Sequence, residues 1–231
     1  MLNIKKRGAG HLEIIISFVF FISFIFFFLL FLNPFDRSSL SDSVIIGVSE
    51  SLKNNLSTNL TTVFLEVDRI GGGAFSVNLP QLRYPFTNSF MVDAGDNSVI
   101  NSRLYPDGQL TGDGTRKYYR LYISDEFPDS SFSGAVINSD FTLGSIIYTK
   151  PLSYRLFQRL KTIYENDYQN LKSELGVPEV LDFSILSDEL PELNLQKTLP
   201  QGVEVYSKVF FFEILKSDAT VTNARFRILV W

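Results

Sequence analysis

Residues 1–32 read MLNIKKRGAGHLEIIISFVFFISFIFFFLLFL. A short basic head, Lys5-Lys6-Arg7-Gly8, leads through Ala9-Gly10-His11-Leu12-Glu13 into an apolar run, Ile14 to Leu32, in which only Ser17 and Ser23 are polar. As a helix rising about 1.5 Å per residue, that run extends roughly 28 Å, close to the hydrocarbon thickness of a bilayer. Hydropathy therefore predicts a transmembrane helix, and the one-sided positive charge predicts a cytoplasmic N-terminus with the rest of the chain outside. The run leaves through Phe31-Leu32-Asn33-Pro34-Phe35-Asp36 with no small-residue cleavage pattern after it, unlike a secretory signal peptide.

Gly8 and Glu13 add a second reading. Lys6-Arg7-Gly8 before Ala9, with Glu13 fifth from Ala9 and an uninterrupted apolar stretch behind it, resembles the class III signal peptide of archaeal type IV pilin-like proteins. The resemblance covers residues 5–32 and departs at Ala9, where that family often has Gln. It implies cleavage between Gly8 and Ala9 by a prepilin peptidase, and a role for Glu13 in assembly with other pilin-like subunits. In such a filament, the Glu13 carboxylate would meet the new α-amino group of Ala9. The plain alternative is an uncleaved signal anchor, with Glu13 at headgroup depth.

Beyond the head, the composition narrows the chemistry. The 231-residue chain carries a net charge of −4, and no basic run follows residue 7, so nucleic acid is not an expected partner. Cysteine is absent and the single histidine is His11. Residues 36–231 therefore lack the groups for Ser-His-Asp or Cys-His catalysis and for thiolate or imidazole metal sites, and neither an enzyme nor a cofactor is expected. Eight of the 22 phenylalanines lie between positions 18 and 31, so much of that excess belongs to the apolar run.

Asn33-Pro34 interrupts the first helix. Ser38 and Ser39 are candidate N-caps, and Leu40, Val44, Val48, Leu52 and Leu56, widened by Ile45, predict an amphipathic helix over 38–56. From Thr61 the period becomes two, which predicts a strand, with others at 74–79, 89–92, 116–124, 133–137 and 143–149. Gly71-Gly72-Gly73 lacks the lysine and helix of a phosphate loop. A long helix is expected from Ser153 to Leu175 on the stripe Phe157, Leu160, Tyr164, Tyr168, Leu171, closed by Gly176 and Pro178. A strand follows at 182–187, then a polar loop over 188–202. The C-terminal hairpin pairs 203–216 with 220–231, and the parities of Val209, Phe211 and Ile214 suggest a bulge or two-sided burial.

The expected fold class is thus α+β: an N-terminal hydrophobic transmembrane helix, then a mainly antiparallel β head with one or two packed helices. The expected division is a leader at 1–8, a transmembrane or filament-core helix at 9–35, an amphipathic spine or linker helix at 36–60 and an extracellular domain at 61–231. The expected function is a membrane-anchored, cell-surface structural subunit of a type IV filament-like assembly, with a signal-anchored binding or adhesion domain that does not polymerise as the alternative.

Other candidates are sparse. Asn55-Leu56-Ser57 and Asn59-Leu60-Thr61 are N-glycosylation sequons. Asp93, Asp96, Asp107, Asp113, Asp125 and Asp129 are dense, but Asp107-Gly108 and Asp113-Gly114 read as turns and the spacing does not match a calcium loop. Nothing in the sequence places Glu66 with Asp68, or Glu189 with Glu192, in one cleft, so no catalytic residue is assigned.

Overall fold

The apolar spacing after residue 37 does form a helix, and its buried side chains include Val44, Ile45, Val48, Leu52 and Leu56. The computed structural model describes residues 7–32, 37–68, 73–82, 88–114 and 116–231. The elements are α1 (Arg7–Leu32), α2 (Arg37–Leu56), β1 (Leu60–Asp68), β2 (Ala74–Asn78), β3 (Ser89–Asp93), β4 (Val99–Ile100), β5 (Ser102–Leu104), β6 (Gln109–Asp113) and β7 (Tyr118–Ile123). They continue with β8 (Val136–Asn138), β9 (Asp140–Thr149), β10 (Leu152–Ser153), α3 (Tyr154–Asn166), α4 (Tyr168–Glu174), β11 (Phe183–Ser187), β12 (Tyr206–Leu215) and β13 (Val221–Val230). The chain divides into two units, Met1–Asp42 and Ser43–Trp231. The first holds α1, and α2 starts there and lies mostly in the second.

Within Ser43–Trp231 there are two main cores. Alternation along β1 sends Val63, Leu65 and Val67 to one face, where Leu65 lies opposite Tyr119 and Val63 opposite Leu121. The five-stranded sheet β4-β3-β7-β1-β9 and the four-stranded sheet β5-β6-β2-β8 share this core, with Phe75, Val77 and Leu110 from the second sheet. The other core lies under the sheet β10-β12-β13-β11. There α2, α3 and α4 bring Leu52, Phe157, Leu160 and Leu171 against Phe183, Ile185, Phe212, Phe226 and Ile228. Phe157 stacks on Phe226 at 5.2 Å between centroids. Among the described strands, all pairings are antiparallel except β10 with β12 and β2 with β8.

Several expectations change. Among the described residues, no helix is long and apolar enough to cross a membrane. That finding overturns the transmembrane helix, and with it the single-pass location with a cytoplasmic N-terminus and an extracellular head. The α+β class with mostly antiparallel sheets stands.

Helix 153–175 is two helices, because Asp167 leaves the helical region at φ −143° and ψ 59°. The aromatic stripe continues across the break, since Tyr164 and Tyr168 meet edge-on at 5.1 Å. Gly176 closes α4 as expected: at φ +71° it donates to the Ser173 carbonyl while Val177 N–H donates to that of Lys172.

The hairpin has no bulge. Its ten pairs run unbroken from Tyr206 opposite Val230 to Leu215 opposite Val221. The parity conflict has another cause: Val209 and Phe211 are exposed on the outer face, while Phe212 and Ile214 are buried on the inner one. Part of the triglycine and residues 1–6 of the expected leader 1–8 lie outside the described residues.

Candidate functional site

Glu13 is the first residue of α1 whose side chain is described, and that side chain is exposed, as are nearly all those that follow to Phe28. Phe18, Phe20, Phe21, Phe24 and Phe26 point in all directions around the axis and are each more than half exposed. A helix apolar on every side has no single core-facing stripe; it is a helix to be surrounded. Gly8 and Ala9 lie in the first turn of α1, and their side chains are outside the described residues.

Asn55 and Asn59 are both exposed, one in the last turn of α2 and one in the link to β1. Leu56 and Leu60, the middle residues of the two sequons, are buried and hold both asparagines at the surface. Ser57 and Thr58 are themselves engaged, with the Ser57 hydroxyl on the Lys53 carbonyl and Thr58 N–H on that of Pro151 at 2.9 Å.

The aspartates do not converge. Among the described residues no group of three or more His, Cys, Asp or Glu side chains could hold a metal ion. Asp93 is buried and accepts from Gly95 N–H at 2.7 Å and Asp96 N–H at 3.3 Å, with Arg116 against its other oxygen at 3.3 Å. Asp96 accepts from Ser98, which holds its carboxyl below the usual carboxylate range. Asp107 accepts from Gln109 N–H, the turn role read from Asp107-Gly108. Glu66 pairs with Lys117, Glu189 with Arg225, and Glu192 accepts from Tyr154.

One polar cluster was not legible in the sequence. A cleft of about 600 Å³ opens beside α3, α4 and residues 191–197, with Tyr164, Tyr168, Lys161 and Lys197 in its wall. Behind that wall the Tyr168 hydroxyl donates to Asp182 at 2.9 Å and accepts from Phe183 N–H at 3.1 Å. Asp182 also takes Lys197 at 2.8 Å and the buried Lys172 at 3.5 Å. Lys172 in turn donates to the Glu179 carbonyl at 2.6 Å. Burial would raise the Asp182 carboxyl, but the Lys197 and Tyr168 hydrogen bonds outweigh it and hold the group below its ordinary value. Burial above all pushes the Tyr168 phenol up, so it stays protonated and a hydrogen-bond donor. The ammonium of Lys161 is held by the Glu192 carbonyl at 2.9 Å. These cations and acceptors are spent on one another, which makes the cluster a brace joining α4, β11 and the 191–197 segment.

No protein-family model, curated protein or solved structure matches this chain. What can be said of function rests on the residues themselves. Two features stand out among them: the all-round apolar α1 and the Asp182 brace, whose charged groups are tied to one another.

Proposed function

We propose that the protein is a pilin-like structural subunit whose α1 packs among the α1 helices of neighbouring copies in a filament-like assembly. The observation that carries this reading is the exposure of α1 from Glu13 to Phe28, apolar on all sides with one carboxylate at its start. Burying a phenylalanine gains about 1.5–3 kcal/mol, so an uncovered helix of this composition strongly favours association. A bundle of like helices covers every side at once. The order of basic head, Gly8, Ala9 and Glu13 supports removal of residues 1–8 by a prepilin peptidase before assembly.

Intact mass and electron microscopy of the protein from its native cells test both parts. The expected result is a chain beginning at Ala9 in filaments that contain it. A mature chain that keeps Lys5–Arg7, with no filament association, overturns the proposal and leaves an adhesion or binding domain.

A further inference from the structure

We infer that Asp113-Gly114 is a site of spontaneous isoaspartate formation, and that the fold protects the identical dipeptide Asp107-Gly108 from it. The chain has these two Asp-Gly pairs. The reaction needs only the chain and water. The backbone nitrogen of the glycine attacks Cγ of the protonated aspartic acid, the N–Cγ bond forms, and the amide proton leaves with the carboxyl hydroxyl as water. Glycine favours this closure because no Cβ crowds the attacking nitrogen. The five-membered succinimide then takes up water. Opening at Cγ restores aspartate, whereas opening at the former α-carbonyl leaves the chain running through Cβ and Cγ, with one extra carbon in the backbone.

Closure requires the carboxyl carbon and the nitrogen to approach freely, and the structure separates the two pairs on that point. At Asp107 both reacting groups are held. Gly108 N–H donates to the Tyr105 carbonyl at 3.0 Å, so the nitrogen keeps its proton. The Asp107 carboxylate accepts from Gln109 N–H at 3.0 Å, which turns it away from Gly108. The Gly108 carbonyl accepts from Leu79 N–H at 2.8 Å, and at φ +90° the residue packs so closely that a Cβ would stand 2.5 Å from the Leu79 carbonyl oxygen. A ring at this turn must break those hydrogen bonds and move a packed backbone. Asp113 is the exposed last residue of β6. Its own N–H is anchored to the Asn101 carbonyl at 2.8 Å, which fixes the strand end without engaging the reacting atoms. Among the described residues neither the Asp113 carboxylate nor Gly114 N–H has a hydrogen-bond partner. Arg116, two residues on, pairs with Asp93 and Asp96 instead. The extra carbon would fall in the link from β6 to β7, between the two sheets of the β-rich core. This inference uses no part of α1 and does not depend on the filament reading.

Full-length protein, kept in mild detergent that covers α1, is aged for weeks at neutral pH, once folded and once in concentrated urea. Peptide mapping then locates isoaspartate as a peptide of unchanged mass that an Asp-specific protease no longer cuts, and succinimide as the loss of one water. In the folded protein, isoaspartate at 113 should exceed that at 107 by about tenfold or more, because ring closure at 107 alone must break native hydrogen bonds. In urea the two sites should react alike. Asp113→Glu keeps the charge but cannot close a five-membered ring, and should remove the modification at 113 in both conditions. Equal accumulation at 107 and 113 in the folded protein overturns the proposal. So does a folded protein that stays unmodified at 113 while the unfolded chain reacts at both sites.

Discussion

The Ser153 hydroxyl donates to the Glu126 carboxylate, and both residues are buried, at 0% and 3% exposure. Ser153 is the N-cap of α3 and accepts from Leu156 N–H at 2.9 Å. The second oxygen of Glu126 accepts from Arg155 N–H at 2.9 Å. A residue that follows β7 therefore completes the cap of a helix in the other core, and Arg155 answers by donating to the Asp125 carbonyl at 2.7 Å. This exchange ties the β-rich core around β1 to the helical core around α3.

Glu126→Ala should therefore cost more than a surface carboxylate would. It strips one acceptor from Ser153 and one from the α3 N-terminus, about 2–3 kcal/mol together. Urea unfolding followed by Trp231 fluorescence and by far-ultraviolet dichroism should coincide in the wild type and separate in the variant. Coincident transitions with an unchanged midpoint would show that Glu126 does not couple the cores.

Asp182→Asn should destabilise by about 1–2 kcal/mol at neutral pH, less than a fully buried pair because Asp182 is partly solvated. The carboxyl is held below its unfolded value, so its contribution is complete above the unfolded pKa of about 3.9. It is lost as pH falls through the lower, folded value. The stability gap between wild type and variant should accordingly close as the pH is taken below about 3.9, and a gap independent of pH would refute the assignment.

Two glycines separate backbone strain from crowding. Gly108 has φ +90°, and a Cβ there would stand 2.5 Å from the Leu79 carbonyl oxygen, whereas Gly176 at φ +71° faces open space. Gly176→Ala should cost about 1 kcal/mol for the left-handed conformation alone, and Gly108→Ala about 2–3 kcal/mol because a backbone atom cannot step aside. Equal melting-temperature shifts for the two would contradict this.

Legibility followed the strength of the local period. The stripe Phe157, Leu160, Tyr164 survived the break at Asp167 because packing, not helix continuity, sets it. Ala224, Phe226, Ile228 and Val230 alternate cleanly and are all buried. The two-residue β4 and three-residue β5 are too short to show alternation, and the 188–202 loop hid the buried Leu193 and Leu195. The Asp182 brace was unreadable because its members come from α4, β11 and a loop, and only the fold brings them together. Hydropathy over 14–32 pointed to a membrane span, which the described part of α1 does not support.

Glu13 gives the sharpest functional contrast. It is the only ionisable group between His11 and Asp36, and it stands at the start of the exposed apolar face of α1. Bundling that face among copies would take the carboxylate out of water, which is tolerable only with a cationic partner such as the amine that the proposed cleavage would expose at Ala9. Glu13→Ala and Glu13→Gln should both leave the melting temperature of the head unchanged, since the Glu13 side chain is exposed. Both should reduce assembled material by tenfold or more in sedimentation and electron microscopy, because the glutamine keeps the size but not the charge. Normal assembly by the glutamine variant would show that the charge has no part in packing.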